Sequence, residues 1–477
     1  MLTKEGDSQM QLTNKMALLA LGFAGLFWWL AALSMNANHA WADKPAEQPS
    51  PIKLKEICSF EKKDGDDPER FLSVVFAPEG GQRVYTTSFA PKQLKAYLRC
   101  WDIAKRQLLW ERTVAEGRDF SHPLFQLTIE PKHGRWLAFN DYEKIQVWEA
   151  RDFDDQRGLQ LVAGRKHGDI QVPIPKGMTD RSVHAVRFAP DGKTLAAVYA
   201  GPRIMHWGLW HILMPTDPPK AMYGFSPLRR DEGIKAWDET CNELRCLAFA
   251  EASPARPNQP ILGRAGNDWV IAVAGNYQRI AFWDLATDKK VRHWEIGDPE
   301  NKNNNFLNNF IVFDLEPMRV SDKRYWVSAH GSGEAMFYTY GRAVRFVFED
   351  GQSEGFAQVW SDGGAKIARC SHQGAVIAVA VAPNDMWFVT AEFCKAWKLV
   401  PPKEAEKLPI PRRGKWVDMF DLPSRIYIWD TSGRKLAVGE GHTMGVTDVA
   451  VSPDGKLIAS CSADGTLRLW EVPEELR

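Results

Sequence analysis

A chain of 477 residues can hold several ordinary domains or one large repeat architecture. Its 60 Lys and Arg balance its 60 Asp and Glu, and this neutrality gives no reason to expect a nucleic acid or other polyanion as partner. The 20 Trp are far above the usual share, so something in the fold uses Trp repeatedly.

In chain order, the first segment reads as an export signal. Lys15 precedes seventeen uncharged, mostly apolar residues, 17–33, and a polar stretch then ends in Ala40-Trp41-Ala42 before Asp43. Charged n-region, apolar h-region and small-x-small cleavage site stand in order. Residues 1–42 are thus expected to be a signal peptide cleaved near Ala42, with 43–50 a linker. The apolar run also just reaches spanning length, so a retained signal anchor is the competing reading. Either reading exports the body: periplasmic or extracellular after cleavage, or tethered to a membrane if the segment is kept. Cys58, Cys100, Cys241, Cys246, Cys370, Cys394 and Cys461 show no zinc, haem or redox spacing. Cys241 and Cys246 are near enough in sequence to bridge, and all seven also suit small buried positions.

Residues 51–58, "PIKLKEIC", alternate like a strand, and two landmarks then recur along the chain. "VVFAPEG" leads to Trp101, "LTIEPKHG" to Trp148, "VRFAPDG" to Trp210, "CLAFAEA" to Trp283, "VFDLEPM" to Trp360, "VAVAPND" to Trp429 and "VAVSPDG" to Trp470. The shortest interval from Pro to Trp is 17 residues and the shortest from Trp to the next Pro is 23 (Trp360 to Pro383), together a 40-residue period. That period suits a four-stranded repeat unit. Within the last copy, "VTDVAV", "LIASCS" and "TLRLWEV" read as strands separated by the turns "SPDG" and "ADG".

The alternating landmarks and their period resemble the WD40-repeat β-propeller family. The resemblance implies an all-β fold over 51–473, a seven-bladed propeller with four-stranded blades near 71–111, 124–163, 183–225, 244–296, 310–370, 375–440 and 446–472. The last copy lacks a fourth strand, and by the family's ring-closing manner 51–58 supplies it, leaving few exposed sheet edges. In that family a His before the first strand, a Ser or Thr on the second, an Asp in the next turn and a Trp on the third form a hydrogen-bonded tetrad. By resemblance these are His442, Ser462, Asp464 and Trp470. His, Ser and Asp are also the residue types of a hydrolase triad. No strained Gly-x-Ser-x-Gly elbow accompanies them, so the structural role is expected, with no catalytic residue. His372 matches the same position one copy earlier, while the remaining copies offer no full set.

Insertions point to where function sits. The connections that share one face of a propeller are long at 112–123, 164–182, 226–243, 297–309, 330–355 and 392–424, whereas those on the other face are mostly tight turns. Repeat proteins carry binding surfaces on the face that takes insertions. Within 401–423, Arg412, Arg413, Trp416, Met419 and Phe420 are the candidate partner contacts, Trp and Arg being favoured interface anchors. A Pro-stiffened loop packing its aromatics on its own blade is the competing reading. Residues 333–350 alternate around "YGR" like a projecting hairpin. No cofactor or metal is expected: "RDFDDQRG" lacks calcium-loop spacing, and no His pair has metal-ligand spacing. The sequence therefore predicts a non-catalytic protein-interaction scaffold of the cell envelope with a protein or peptide partner. An enzyme or small-ligand receptor at the channel mouth is the alternative.

Overall fold

The computed structural model describes residues 50–477 apart from 66, 118–125, 142–143, 155–159, 172–182, 200–202, 215–219, 228–233, 236–243, 252–268, 276–278, 285–288, 297–309, 333–350, 353–354 and 401–415. The expected signal segment 1–42 and most of the linker lie outside these residues, as do the expected hairpin 333–350 and Cys241.

The strands follow from the sequence pattern. In the last repeat, Val446–Val451, Leu457–Ser462 and Thr466–Glu471 are β-branched or alternating runs, each buried mainly on alternate or inner positions. The turn between the first two is built locally. Ser452 Oγ donates to Asp454 Oδ1 at 2.7 Å, the Gly455 amide donates to the Ser452 carbonyl, and Gly455 takes φ +68°. That left-handed backbone is why Gly ends the turn.

Small antiparallel sheets succeed one another along the chain. The first comprises Arg70–Phe76, Arg83–Ala90, Lys95–Asp102 and Gln107–Glu116, and the second Leu127–Ile129, Trp136–Asp141, Lys144–Glu149 and Lys166–Gln171. The next begins with Val183–Phe188, Thr194–Tyr199, Arg203–Met214 and Lys220–Pro227. It is followed by Leu244–Glu251, Trp269–Gly275, Arg279–Asp284 and Lys289–Glu295, then by Phe310–Val320, Lys323–Ser332, Gly355–Ser361 and Lys366–His372. Ala375–Val381, Trp387–Phe393, Ser424–Asp430 and Lys435–His442 come next, before the last repeat. Side chains are described in every strand of six of these sheets; in the sheet starting at Val183–Phe188 they are described only in the two inner strands. Each innermost strand touches the innermost strand of the next sheet, and Val446–Val451 touches Arg70–Phe76 to complete the circuit. The all-β, propeller expectation is borne out.

Closure differs in detail from the expectation for 51–58. Ile52–Lys53 pairs in parallel with Lys435–His442 of the preceding sheet. Lys55–Glu61 pairs antiparallel with Thr466–Glu471 and supplies the last sheet's fourth strand. One short segment thus holds two neighbouring sheets. At the far end, Leu476 O accepts from Trp387 Nε1 at 2.6 Å, fastening the final 3-10 turn Glu474–Leu476 to the sheet before it.

The many Trp fill the seams between sheets. Phe282, Trp294, Trp326 and Trp360 form one buried cluster, with Trp294 and Trp360 stacked at 6.0 Å and Phe282 and Trp326 edge-on at 5.0 Å. Burying such rings supplies much of the apolar contact between neighbouring sheets. The cysteines behave as small core residues: Cys100, Cys246, Cys370, Cys394 and Cys461 are buried and free. Cys246 is unbridged, its Sγ lying 3.7 Å from the Ala274 carbonyl oxygen and 3.9 Å from that of Val312.

Candidate functional site

The polar network of the last repeat is continuous. Trp470 Nε1 donates to Ser460 Oγ at 2.8 Å, Ser460 Oγ lies 2.7 Å from His442 Nε2, and His442 Nδ1 lies 3.0 Å from Asp464 Oδ2. A neutral imidazole protonated on Nδ1 satisfies every member: indole to hydroxyl, hydroxyl to Nε2, Nδ1–H to carboxylate. Burial of His442 disfavours its cation and lowers its pKa despite Asp464. Burial opposes ionisation of Asp464 as well, but the bonds from His442, Thr466 and Thr443 outweigh it and hold the carboxyl at about 2. The serine here is Ser460, which corrects the expected Ser462. A strand's side chains alternate faces, and Ser462, one further along the same face, donates to the Gly445 carbonyl at 2.9 Å and accepts from the Asp464 amide.

Register generalises the finding. Ser460 pairs across its sheet with the residue two before Trp470. The residues in the same relation to the marker Trp elsewhere are Thr86, Ser328 and Thr390, and each receives the indole N–H: Trp101 at 2.9 Å, Trp360 at 2.7 Å and Trp429 at 3.0 Å. In the second sheet that place is held by Phe139, and Gln146 accepts from Trp148 instead, at 3.0 Å. In the sheet beginning at Leu244 it is Val273, and among the described residues buried Trp283 Nε1 has no hydrogen-bond partner. A bulge beside the Trp recurs in these six sheets.

The third marker is corrected by the same test. Leu195 pairs with Trp207, as Ile458 pairs with Trp470, whereas Trp210 lies beyond the end of the neighbouring strand and pairs with Gly224. The spacing signal was present: Pro190 to Trp207 is 17 residues, as is Pro453 to Trp470.

Where the full set is missing, other residues do the work. His330, on the second strand of its own sheet, reaches Ser328 Oγ through Nε2 at 2.6 Å. His372 reaches Thr390 Oγ1 at 2.8 Å, and burial pulls both imidazoles down to about 3. Glu392 takes the part of the missing turn Asp, accepting from the amides of Gln373 at 2.9 Å and Gly374 at 3.2 Å. In the first sheet a buried cation bonds the second strand, at Ser88. Arg99, 2% exposed, donates to Glu111 at 2.6 Å and to Glu69 at 3.0 Å. His372 was matched from sequence, whereas His330, Glu392 and Arg99 were not, because each comes from a different strand position.

Of the candidate contacts, Arg412 and Arg413 lie outside the described residues. Trp416, Met419 and Phe420 fall on a strand, Trp416–Asp421, rather than in a loop. It pairs with Lys395–Val400, which also pairs with Gly351–Gln352. This small additional sheet joins the insertions of two successive repeats, both on the face with long connections. On the other face, a cavity of about 310 Å³ opens among the short turns of the first two sheets, lined by residues including Glu79, Arg83, His133 and Arg151. Near the ring's centre, Arg187 reaches past one sheet to Asp314 at 2.8 Å and to Glu316. Among the described residues, no cluster of three His, Cys, Asp or Glu is arranged to hold a metal ion.

Comparison with known proteins bears on the same repeat. The family model described as WD domain, G-beta repeat matches residues 433–471. A ribosome biogenesis protein WDR12 homolog from Chlamydomonas reinhardtii is 30% identical over 159 residues, 32% of this chain and 31% of the relative. The alignment thus spans about a third of the relative's length. This relative overturns the expected export and envelope location, since ribosome biogenesis, for which it is named, is not an envelope process. Among the described residues, no helix is long and apolar enough to cross a membrane. The chain thus carries a WD40 repeat at 433–471 set among sheets in a propeller-like arrangement, consistent with degenerate repeats elsewhere.

Proposed function

We propose that the chain is a non-catalytic protein-interaction scaffold, a seven-bladed ring that takes a protein or peptide partner on its insertion-rich face. The observation that supports this most is the additional sheet of Gly351–Gln352, Lys395–Val400 and Trp416–Asp421. Two insertions that pair with each other form a platform of backbone held in register, which suits recognition better than separate loops would. The name of the matched relative, a ribosome biogenesis protein, favours work within a macromolecular assembly. The His442–Ser460–Trp470 network is assigned a structural part, because every polar atom in it is spent on another and His442 is 2% exposed. Arg412, Arg413, Trp416, Met419 and Phe420 remain the contacts of choice. An enzyme or small-ligand receptor is the competing reading, and the cavity beside Arg83 and Arg151 is its best support.

The test is affinity capture with the full chain and with a variant in which 401–415 is replaced by a short Gly/Ser linker. The flanking strands are kept, so that the small sheet survives. A partner held by the parent chain and lost by the variant, at unchanged melting temperature, supports the reading. Equal capture by both moves the contact elsewhere on the ring. No capture by either chain, with a small ligand raising the melting temperature, overturns it.

A further inference from the structure

The seam between the first two sheets carries a cavity on the face of the short turns, away from the insertions. It holds about 310 Å³. Three contacts across the seam build it. The buried Tyr85 hydroxyl, on the second strand of the first sheet, donates to the Ala150 carbonyl at 3.0 Å, just past the third strand of the second sheet. Glu79, in the first sheet's opening turn, forms an ion pair with Arg151. Gly134, in the second sheet's opening turn, takes φ +59° and approaches Pro78 so closely that a Cβ there would lie 2.8 Å from its Cδ. Only glycine allows both that backbone and that approach, so the walls are set by the packing of the two turns.

The charges on the lining are unevenly satisfied. Of its two carboxylates, Glu79 is spent on Arg151, and Asp152 accepts the Ala163 amide through Oδ1 at 2.9 Å. The Arg83 guanidinium lies beside the Tyr85 hydroxyl, whose proton is already given to Ala150. Among the described residues, no carboxylate lies within ion-pair distance of Arg83 or of His133, both exposed on the same lining. The cavity thus offers a guanidinium, an imidazole and the Gln82 amide as donors, and the remaining Asp152 oxygen as an acceptor. A phosphate matches the guanidinium fork, and a hydroxyl matches the carboxylate oxygen. The Tyr85 ring is buried and the lining holds no Trp or Phe, so no such ring is presented for a base to stack on. We propose that this cavity binds a small hydroxylated phosphate ester, its phosphate held by Arg83 with His133 and Gln82 as further donors, and a hydroxyl held by Asp152. The volume stands at the lower end of small-molecule sites, which suits a ligand of that size.

Calorimetric titration of the full chain with glycerol 3-phosphate, inorganic phosphate and glycerol is the test. Glycerol 3-phosphate should bind at a single site, roughly tenfold more tightly than inorganic phosphate, because the hydroxyls add contacts that phosphate alone lacks. Glycerol, without the charge, should not bind. Arg83→Gln should weaken binding of the ester by about tenfold or more. Arg106→Gln, which changes an exposed arginine in the next short turn of the same sheet, off the cavity, should leave it unchanged. Both arginines are exposed, so both variants should fold as the parent chain does. No binding of the ester by the parent chain overturns the site, as does an Arg83→Gln variant that binds it equally well. Inorganic phosphate held as tightly as the ester overturns the assignment of an ester. The cavity and the insertion-rich face lie on opposite sides of the ring, so either failure leaves the scaffold reading standing.

Discussion

Trp470 and Trp283 stand in equivalent places and live under different rules. Around Trp470 the indole, hydroxyl, imidazole and carboxylate form an unbroken chain. Around Trp283 the residue in the hydroxyl's place is Val273, and the buried indole N–H has no partner among the described residues. Both rings are buried and both sheets close on their neighbours. The contrast teaches that apolar packing around the Trp suffices to build a blade, and that the polar chain is a local addition stabilising some blades more than others. A buried donor left without a partner costs about 1–3 kcal/mol, an amount a large ring can carry.

The largest expected effect comes from breaking the complete chain in its middle. Ser460→Ala should strip both Trp470 and His442 of a partner and lower stability in chemical denaturation by about 2–4 kcal/mol. Ser462→Ala, which touches neither ring, should cost about 1 kcal/mol. Equal losses would mean that the register argument picks the wrong serine. Asp464→Ala should fall between them, at about 1–3 kcal/mol.

Acid sharpens the comparison next. His330 and His372 sit near 3 in the folded chain against 6.5 in the open, so the folded form binds fewer protons. Their contribution is complete above pH 6.5 and is lost as pH falls from there towards 3. His372→Gln should therefore flatten the acid side of the stability profile, most visibly between pH 6 and 4. A profile parallel to the parent's would show that His372 is not buried as a neutral ring. The smallest effect is a repair. Val273→Thr places a hydroxyl beside Trp283 and should raise stability by about 0.5–1 kcal/mol. Val270→Thr, in the same strand but out of register, should lower it by about 1 kcal/mol, the usual sign for a buried hydroxyl without a partner. Identical losses for the two would remove the explanation offered for Trp283.

The recurring Pro-turn and Trp landmarks and the 40-residue period were enough to specify an all-β repeat ring, because turn chemistry and β-patterning are local properties of the chain. In the last repeat His442, Asp464 and Trp470 are bonded into one network through Ser460. The choice between Ser460 and Ser462, and between Trp207 and Trp210, was not legible, since each pair offers the same residue type two or three positions apart. Pairing register across the sheet decides which one meets its partner. Tertiary structure alone set the substitutes Glu392, His330 and Arg99, the split of the first strand between two sheets, and the Asp314–Arg187 contact. Each brings together residues from different strands or sheets, and no local pattern encodes which distant group will arrive to satisfy a buried charge or hydrogen bond.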